Sequence, residues 1–173
     1  MTAEASSILV SERAIGPRWS KASTKGSISS FSTRDRGPAV TCTSRAIARF
    51  IFSGSAKRFP NVKMIWSHGG GTMPFLIDRY HALSRLPHYK DLCPDGFLPV
   101  ARSFYYDTAQ ASHPGALLSL LNLVDVSQVV FGTDFPYRTS LDHVKGLMAM
   151  GFSMNDLTAI ESRNAQRLLS LSL

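Results

Sequence analysis

The sequence predicts an α/β fold built from parallel strand–helix–strand units, and three observations predict it. Short apolar runs, KMIWS, SFYYDT and QVVFGTD, read as strands. Longer segments of helical period separate them, as parallel strands require of their crossovers. At the end of each run stands a polar residue, His68, Asp107 or Asp134, where parallel sheets gather their chemistry.

The regular pattern starts near Thr43. SRAIARFIFSGSAKRF sets Ile47, Phe50, Ile51 and Gly54 near one helical face, and FPN stops the helix. KMIWS follows as a strand. MPFLIDRYHALSRL is an amphipathic helix with Pro74 in its first turn, where the missing N–H costs nothing. SFYYDT is rich in aromatic strand formers. SHPGALLSLLNLV opens with a Ser cap and a proline and runs on as an apolar helix. QVVFGTD repeats the motif of strand, glycine and polar residue. LDHVKGLMAMG is a helix closed by Gly151. SMNDLTAIESRNAQRLLSL, with Ser153 and Asp156 in capping-box spacing, gives one or two final helices.

Residues 1–42 have a different character. They are rich in serine, poor in acid and show no sustained period, so an irregular or disordered segment is expected there, with the folded part spanning 43–173.

The 173 residues are ordinary for a globular chain, 44% hydrophobic and 18% charged. The net charge of +7 divides as +3 over residues 1–40 and +4 over the remainder, with no basic run interleaved with aromatics. Nucleic acid is therefore not an expected partner. No apolar run approaches the length of a membrane span. Two cysteines, Cys42 and Cys93, form no CxxC pair and fit a reducing, cytoplasmic setting.

In IWSHGGGTMPF, His68 can act as acid or base near neutral pH, and Gly69, Gly70 and Gly71 clear side chains from its surroundings. A hydrogen-bonded histidine in a tight turn is the alternative reading. HGGG is also similar to the oxyanion turn of lipases, but that reading needs a GxSxG elbow, which is absent. Asp134 reads equally as an oxygen ligand and as the cap of the turn FPYRTS. Asp107 reads first as a structural cap. His81, His88, His113 and His143 read as surface histidines, and no HxH, HExxH or Cys/His cluster makes a metal site.

Together FPNVKMIWSHGGGTMPFLIDRY, SFYYDTA, VVFGTDFPYR and NAQRLL resemble the C-terminal half of the amidohydrolase-related (amidohydrolase 2) proteins. Within them the similarity is to the branch of aminocarboxymuconate-semialdehyde decarboxylase and the aromatic-acid decarboxylases, over about residues 43–171. The resemblance implies a partial TIM (β/α) barrel, a divalent metal with zinc as first choice, a small carboxylic acid as substrate and a homo-oligomer. It implies His68 as catalytic acid or base, Asp134 as the metal ligand on the last strand, and Arg79, eleven residues past His68, as a binding group for the substrate carboxylate of a neighbouring subunit. The HxH pair and the earlier His-Pro histidine of that ligand set have no counterpart. A closed barrel needs eight strands, and three are visible. The expectation is a truncated decarboxylase of aromatic or unsaturated acids. Alternatives are a hydrolase of the same family and a non-catalytic half barrel that self-associates across open sheet edges.

Overall fold

The computed structural model describes residues 8–11 and 42–170. Four strands form one sheet in the order β1-β2-β3-β4. They are β1 (Ile8–Ser11), β2 (Lys63–Trp66), β3 (Tyr105–Asp107) and β4 (Val129–Val130). All neighbours are parallel, with Leu9 opposite Met64, Trp66 opposite Tyr106 and Asp107 opposite Val130. Three strands fall where the apolar runs place them. The fourth, β1, lies within the segment expected to be irregular; the rest of residues 1–41 lies outside the described residues. Four residues of ILVS are too few to carry a visible period, so only pairing with β2 reveals them.

Between β1 and β2 run α1 (Cys42–Phe52) and α2 (Ser55–Arg58). The sequence suggests one helix here. It breaks at Gly54, whose φ of 76° is left-handed and whose Cα abuts Leu92 closely enough that a Cβ would come within 3.2 Å of that side chain. Ile47 and Ile51 are buried, each contributing about 1.5–3 kcal/mol through the hydrophobic effect.

β2 and β3 are joined by α3 (Ile77–Ser84), α4 (Pro87–Lys90) and α5 (Phe97–Arg102). The helix expected from Met73 begins only at Ile77, because His68–Gly70 is a 3-10 turn and Gly71 carries the chain onward with φ 64°. The two short helices α4 and α5 carry too few residues to show a helical period. Their aromatic side chains complete the core beside α1: Tyr80 stacks on Phe97 at 4.8 Å, and Phe52 packs against Phe97 at 5.2 Å and Tyr89 at 4.4 Å. Phe50, Trp66 and Phe104 form an edge-to-face trio at 5.7–5.9 Å that packs α1 against β2.

α6 (Pro114–Leu121) leads to β4, and α7 (Ser140–Ala149), α8 (Met154–Thr158) and α9 (Asn164–Leu169) complete the described fold. The cap of α6 is His113, whose ring accepts the Gly115 N–H, and not the expected Ser112. Ser112 is instead buried under α7, where Gly146 lies so close that no Cβ could be fitted against the Ser112 carbonyl. Ser153 caps α8 by accepting the Asp156 N–H, as its spacing predicts. A π-helical turn, Ala159–Arg163, joins α8 to α9. Its Ile160 carbonyl accepts the N–H of Phe131, just past β4, as wide turns of this kind allow.

Candidate active site

His68, Asp107 and Asp134 stand at or just past the carboxyl ends of β2, β3 and β4, so parallel pairing alone brings them to one side of the sheet. His68 has φ 58° and Asp134 φ 59°, left-handed values uncommon for residues with a Cβ. Such strain persists only where neighbours enforce it. For His68 the enforcement is visible: its backbone N–H donates to Asp107 Oδ1 at 2.8 Å, and the same oxygen accepts the Ala109 N–H at 3.0 Å. Asp107 is therefore a backbone clamp, the structural role its sequence position suggests.

The β4 end is fastened to the β3 end through Thr108. Its N–H donates to the Val130 carbonyl at 3.0 Å, and its hydroxyl donates to the Gly132 carbonyl and accepts the Gly132 N–H, both at 3.0 Å. Gly132 presses on the Asp107 carboxylate, where a Cβ would meet Cγ at 3.0 Å. Glycine there lets the chain run past Asp107 toward Asp134.

These constraints place His68 Nε2 3.4 Å from Asp134 Oδ2, with the two side chains 32% and 21% exposed. The pair is open to solvent on one side, and the buried Nδ1 of His68 has no partner among the described residues. Nε2 is thus the atom available for exchange of a proton with a small molecule. Asp134 Oδ2 also accepts from Gln110 Nε2 at 3.2 Å.

Arg79 is exposed on α3. It borders a surface cleft with Leu76, Tyr80 and Leu83, a cleft that neither His68 nor Asp134 lines. His81 and His88 belong to the same helical region, where His81 Nε2 meets Arg85 at 3.1 Å. His143 corrects the sequence reading: it is wholly buried, not a surface residue. Its Nε2 accepts the Gln110 N–H at 3.0 Å, and its Nδ1 lies 3.0 Å from the Thr139 carbonyl. Sequence reasoning missed both His143 and Gln110. A buried His143 was foreshadowed only by its place one turn before Leu147, on the apolar stripe of its helix.

A divalent metal needs several converging donors. No group of three or more His, Cys, Asp and Glu side chains that could hold one occurs among the described residues. Asp134 supplies one carboxylate, already hydrogen-bonded by Gln110. The described residues alone do not fit a metal.

The amidohydrolase family model, Amidohydro_2, matches residues 36–171. The chain belongs to the amidohydrolase family. It is 39% identical over 95 residues to a 6-methylsalicylic acid decarboxylase of Penicillium expansum, a match covering 54% of this chain and 29% of that protein. To a 2-amino-3-carboxymuconate-6-semialdehyde decarboxylase of Dictyostelium discoideum it is 37% identical over 105 residues, 58% of this chain and 28% of that one. Among solved structures, the 2,6-dihydroxybenzoate decarboxylase from Rhizobium superposes with a TM-score of 0.68 at 22% identity, covering 78% of this amidohydrolase chain and 44% of the other. The matched stretch is thus less than half of each relative, and the shared fold is part of an amidohydrolase barrel.

Proposed function

We propose that this amidohydrolase portion serves the non-oxidative decarboxylation of an aromatic or unsaturated carboxylic acid, with His68 as the proton donor. The observation that carries the reading is the contact of His68 Nε2 with Asp134 Oδ2, 3.4 Å apart at the carboxyl ends of the strands. Support comes from the similarity to relatives named as decarboxylases of such acids.

Asp134 Oδ2 faces His68 Nε2 and orients the imidazole toward the open side of the pair. The Nε2 proton moves to the carbon that bears the carboxylate. The electron pair of the carbon–carboxylate bond then returns to the substrate, carbon dioxide leaves, and solvent reprotonates His68. Positioned acid catalysis of this type contributes about 10²–10⁴-fold in rate. Arg79 is assigned to the substrate carboxylate of a neighbouring copy, consistent with its exposure, and the working form is a homo-oligomer in the cytoplasm. Manganese is named with two structural relatives, a dihydroxybenzoic acid decarboxylase and a 5-carboxyvanillate decarboxylase. A metal in the working site, zinc or manganese, would draw its further donors from outside the described residues.

A second reading, a non-catalytic half barrel that only self-associates, is favoured by the absence of a metal-holding group among the described residues. One experiment separates them. The purified chain is incubated with 6-methylsalicylate and 2,6-dihydroxybenzoate, with and without Mn²⁺ or Zn²⁺. Carbon dioxide release and mass in solution are measured together. Release that disappears in His68→Asn supports decarboxylation. An oligomer without turnover under any condition defeats it and leaves the self-associating half barrel.

A further inference from the structure

Gln110 is an exposed residue with the left-handed φ of 55°, and nothing in the core requires it. It is nevertheless held from two sides. Its backbone N–H donates to His143 Nε2 at 3.0 Å, and its side-chain amide donates to Asp134 Oδ2 at 3.2 Å, across 24 residues of sequence. The partners fix every proton in this series. The Thr139 carbonyl can only accept, so His143 Nδ1, 3.0 Å away, carries the hydrogen. The Gln110 N–H can only donate, so Nε2 of His143 is the bare nitrogen. A carboxylate accepts only, so Gln110 turns its NH₂ and not its carbonyl toward Asp134. The series then runs without a mismatch from Thr139, at the start of α7, to the oxygen that faces His68.

We infer that Gln110 is a positioning residue for the Asp134–His68 pair, and that buried His143 sets Gln110 by anchoring its backbone to α7. The chemistry suits that role. An amide donor orients the carboxylate but carries no charge, so the negative charge of Asp134 stays available to the imidazole; a lysine or arginine in its place would neutralise it. The tight seating of Gly146 against Ser112 holds α7 on the loop that carries Gln110, so the anchor is rigid on both sides.

This inference rests on the proposed use of His68 and Asp134, but its test reads geometry and not turnover. The full chain, labelled with ¹⁵N and ¹³C, is compared at one fixed pH with Gln110→Leu, which keeps the size and removes the amide. The expected result is that the Asp134 carboxyl and His68 imidazole resonances shift beyond their line widths, while the denaturant midpoint stays unchanged. Resonances that stay in place overturn the inference, whatever happens to stability. His143→Gln, which can present a carbonyl oxygen where Nε2 stands, should leave the same resonances closer to the parent than His143→Asn does; the reverse order also overturns it. Should both His143 variants fail to fold, Gln110→Leu decides alone. Absence of decarboxylation with shifted resonances refutes the proposed activity and leaves the positioning intact, so the two failures are distinguishable.

Discussion

Asp107 holds His68 by its backbone: one carboxylate oxygen, Oδ1, accepts the His68 N–H at 2.8 Å and the Ala109 N–H at 3.0 Å. The side chain assigned the chemistry is thus held through its main chain by a neighbouring carboxylate. Asp107→Ala removes the acceptor of two N–H groups in a region that is largely buried, each worth about 1–3 kcal/mol when left unmade. The expected loss is about 2–5 kcal/mol, read from chemical denaturation. Asp107→Asn keeps an oxygen acceptor and should lose clearly less; equal losses for the two would show that the clamp is not what Asp107 provides.

Gly70 makes a second, sharper demand. Its φ is 79°, and a Cβ would lie 3.0 Å from Cε1 of Tyr106, a ring that is itself fully buried with its hydroxyl donating to the Ala101 carbonyl at 2.7 Å. Tyr106 cannot swing aside without leaving its own buried hydroxyl without that acceptor. Left-handed strain and overpacking each cost about 1–3 kcal/mol, so Gly70→Ala should destabilise by more than about 2 kcal/mol. Gly151→Ala, with φ 71° but open space around it, isolates the backbone cost alone and should lose less.

How much of this was legible in the sequence depends on the range of the force involved. The three apolar runs identified β2, β3 and β4, because burial on both faces leaves a local signature. His68, Asp107 and Asp134 were visible as strand-end residues for the same reason. What escaped was set by contacts distant in sequence. β1 exists as a strand only beside Met64 and Ile65. Gln110 is polar and sits in a loop, and only the fold carries it to Asp134. His143 looked like one more polar residue on a helix, since no local pattern says that the Gln110 N–H will come to meet its ring.

The last helix is tied to β4 by one buried side chain. Asn164 Nδ2 donates to the carbonyls of Val126 and Val129, both at 2.8 Å, and the residue is 1% exposed. Asn164→Leu preserves the volume but withdraws the amide donor from both carbonyls. Val126 keeps the Val129 N–H, so the cost falls on the buried Val129 carbonyl, a loss of about 1–3 kcal/mol. Asn164→Asp is expected to be worse, because it sets a carboxylate oxygen against two carbonyl oxygens in a dry site. Denaturant midpoints in the order Asn, Leu, Asp from most to least stable bear this out; an aspartate variant as stable as the parent would refute it.

Cys93 offers a chemical test of packing. It is 3% exposed, and burial, aided by the negative charge of Asp95, pushes its thiol pKa above 9.0 against the opposing Gly96 backbone hydrogen bond. Only the thiolate attacks an alkylating agent. Iodoacetamide at neutral pH should therefore leave Cys93 unmodified in the folded chain and label it fully in denaturant, as peptide mass mapping would reveal. Rapid labelling of the folded chain would mean that the α4–α5 region opens readily.

The cap of α7 supplies a pH dependence whose sign can be worked out. Thr139 accepts the Asp142 N–H at 3.2 Å, while its own hydroxyl donates to the Asp142 carboxylate at 2.7 Å and its N–H does so at 3.3 Å. The hydroxyl bond first, then the backbone bond, with the charges of Arg138 and Lys145 adding less, hold the Asp142 pKa below its ordinary 3.8, against slight desolvation. The folded chain thus binds this proton less readily than the unfolded one. The stabilisation is complete above pH 3.8 and disappears as the pH falls through the lower folded value. Thr139→Ala removes the hydroxyl, so the Asp142 carboxyl should titrate closer to 3.8 by ¹³C NMR. The stability gap between parent and variant should also narrow as the solution is acidified. A gap that widens in acid would mean that the cap works through the protonated carboxyl, and the assignment of its hydrogen bonds would have to be reversed.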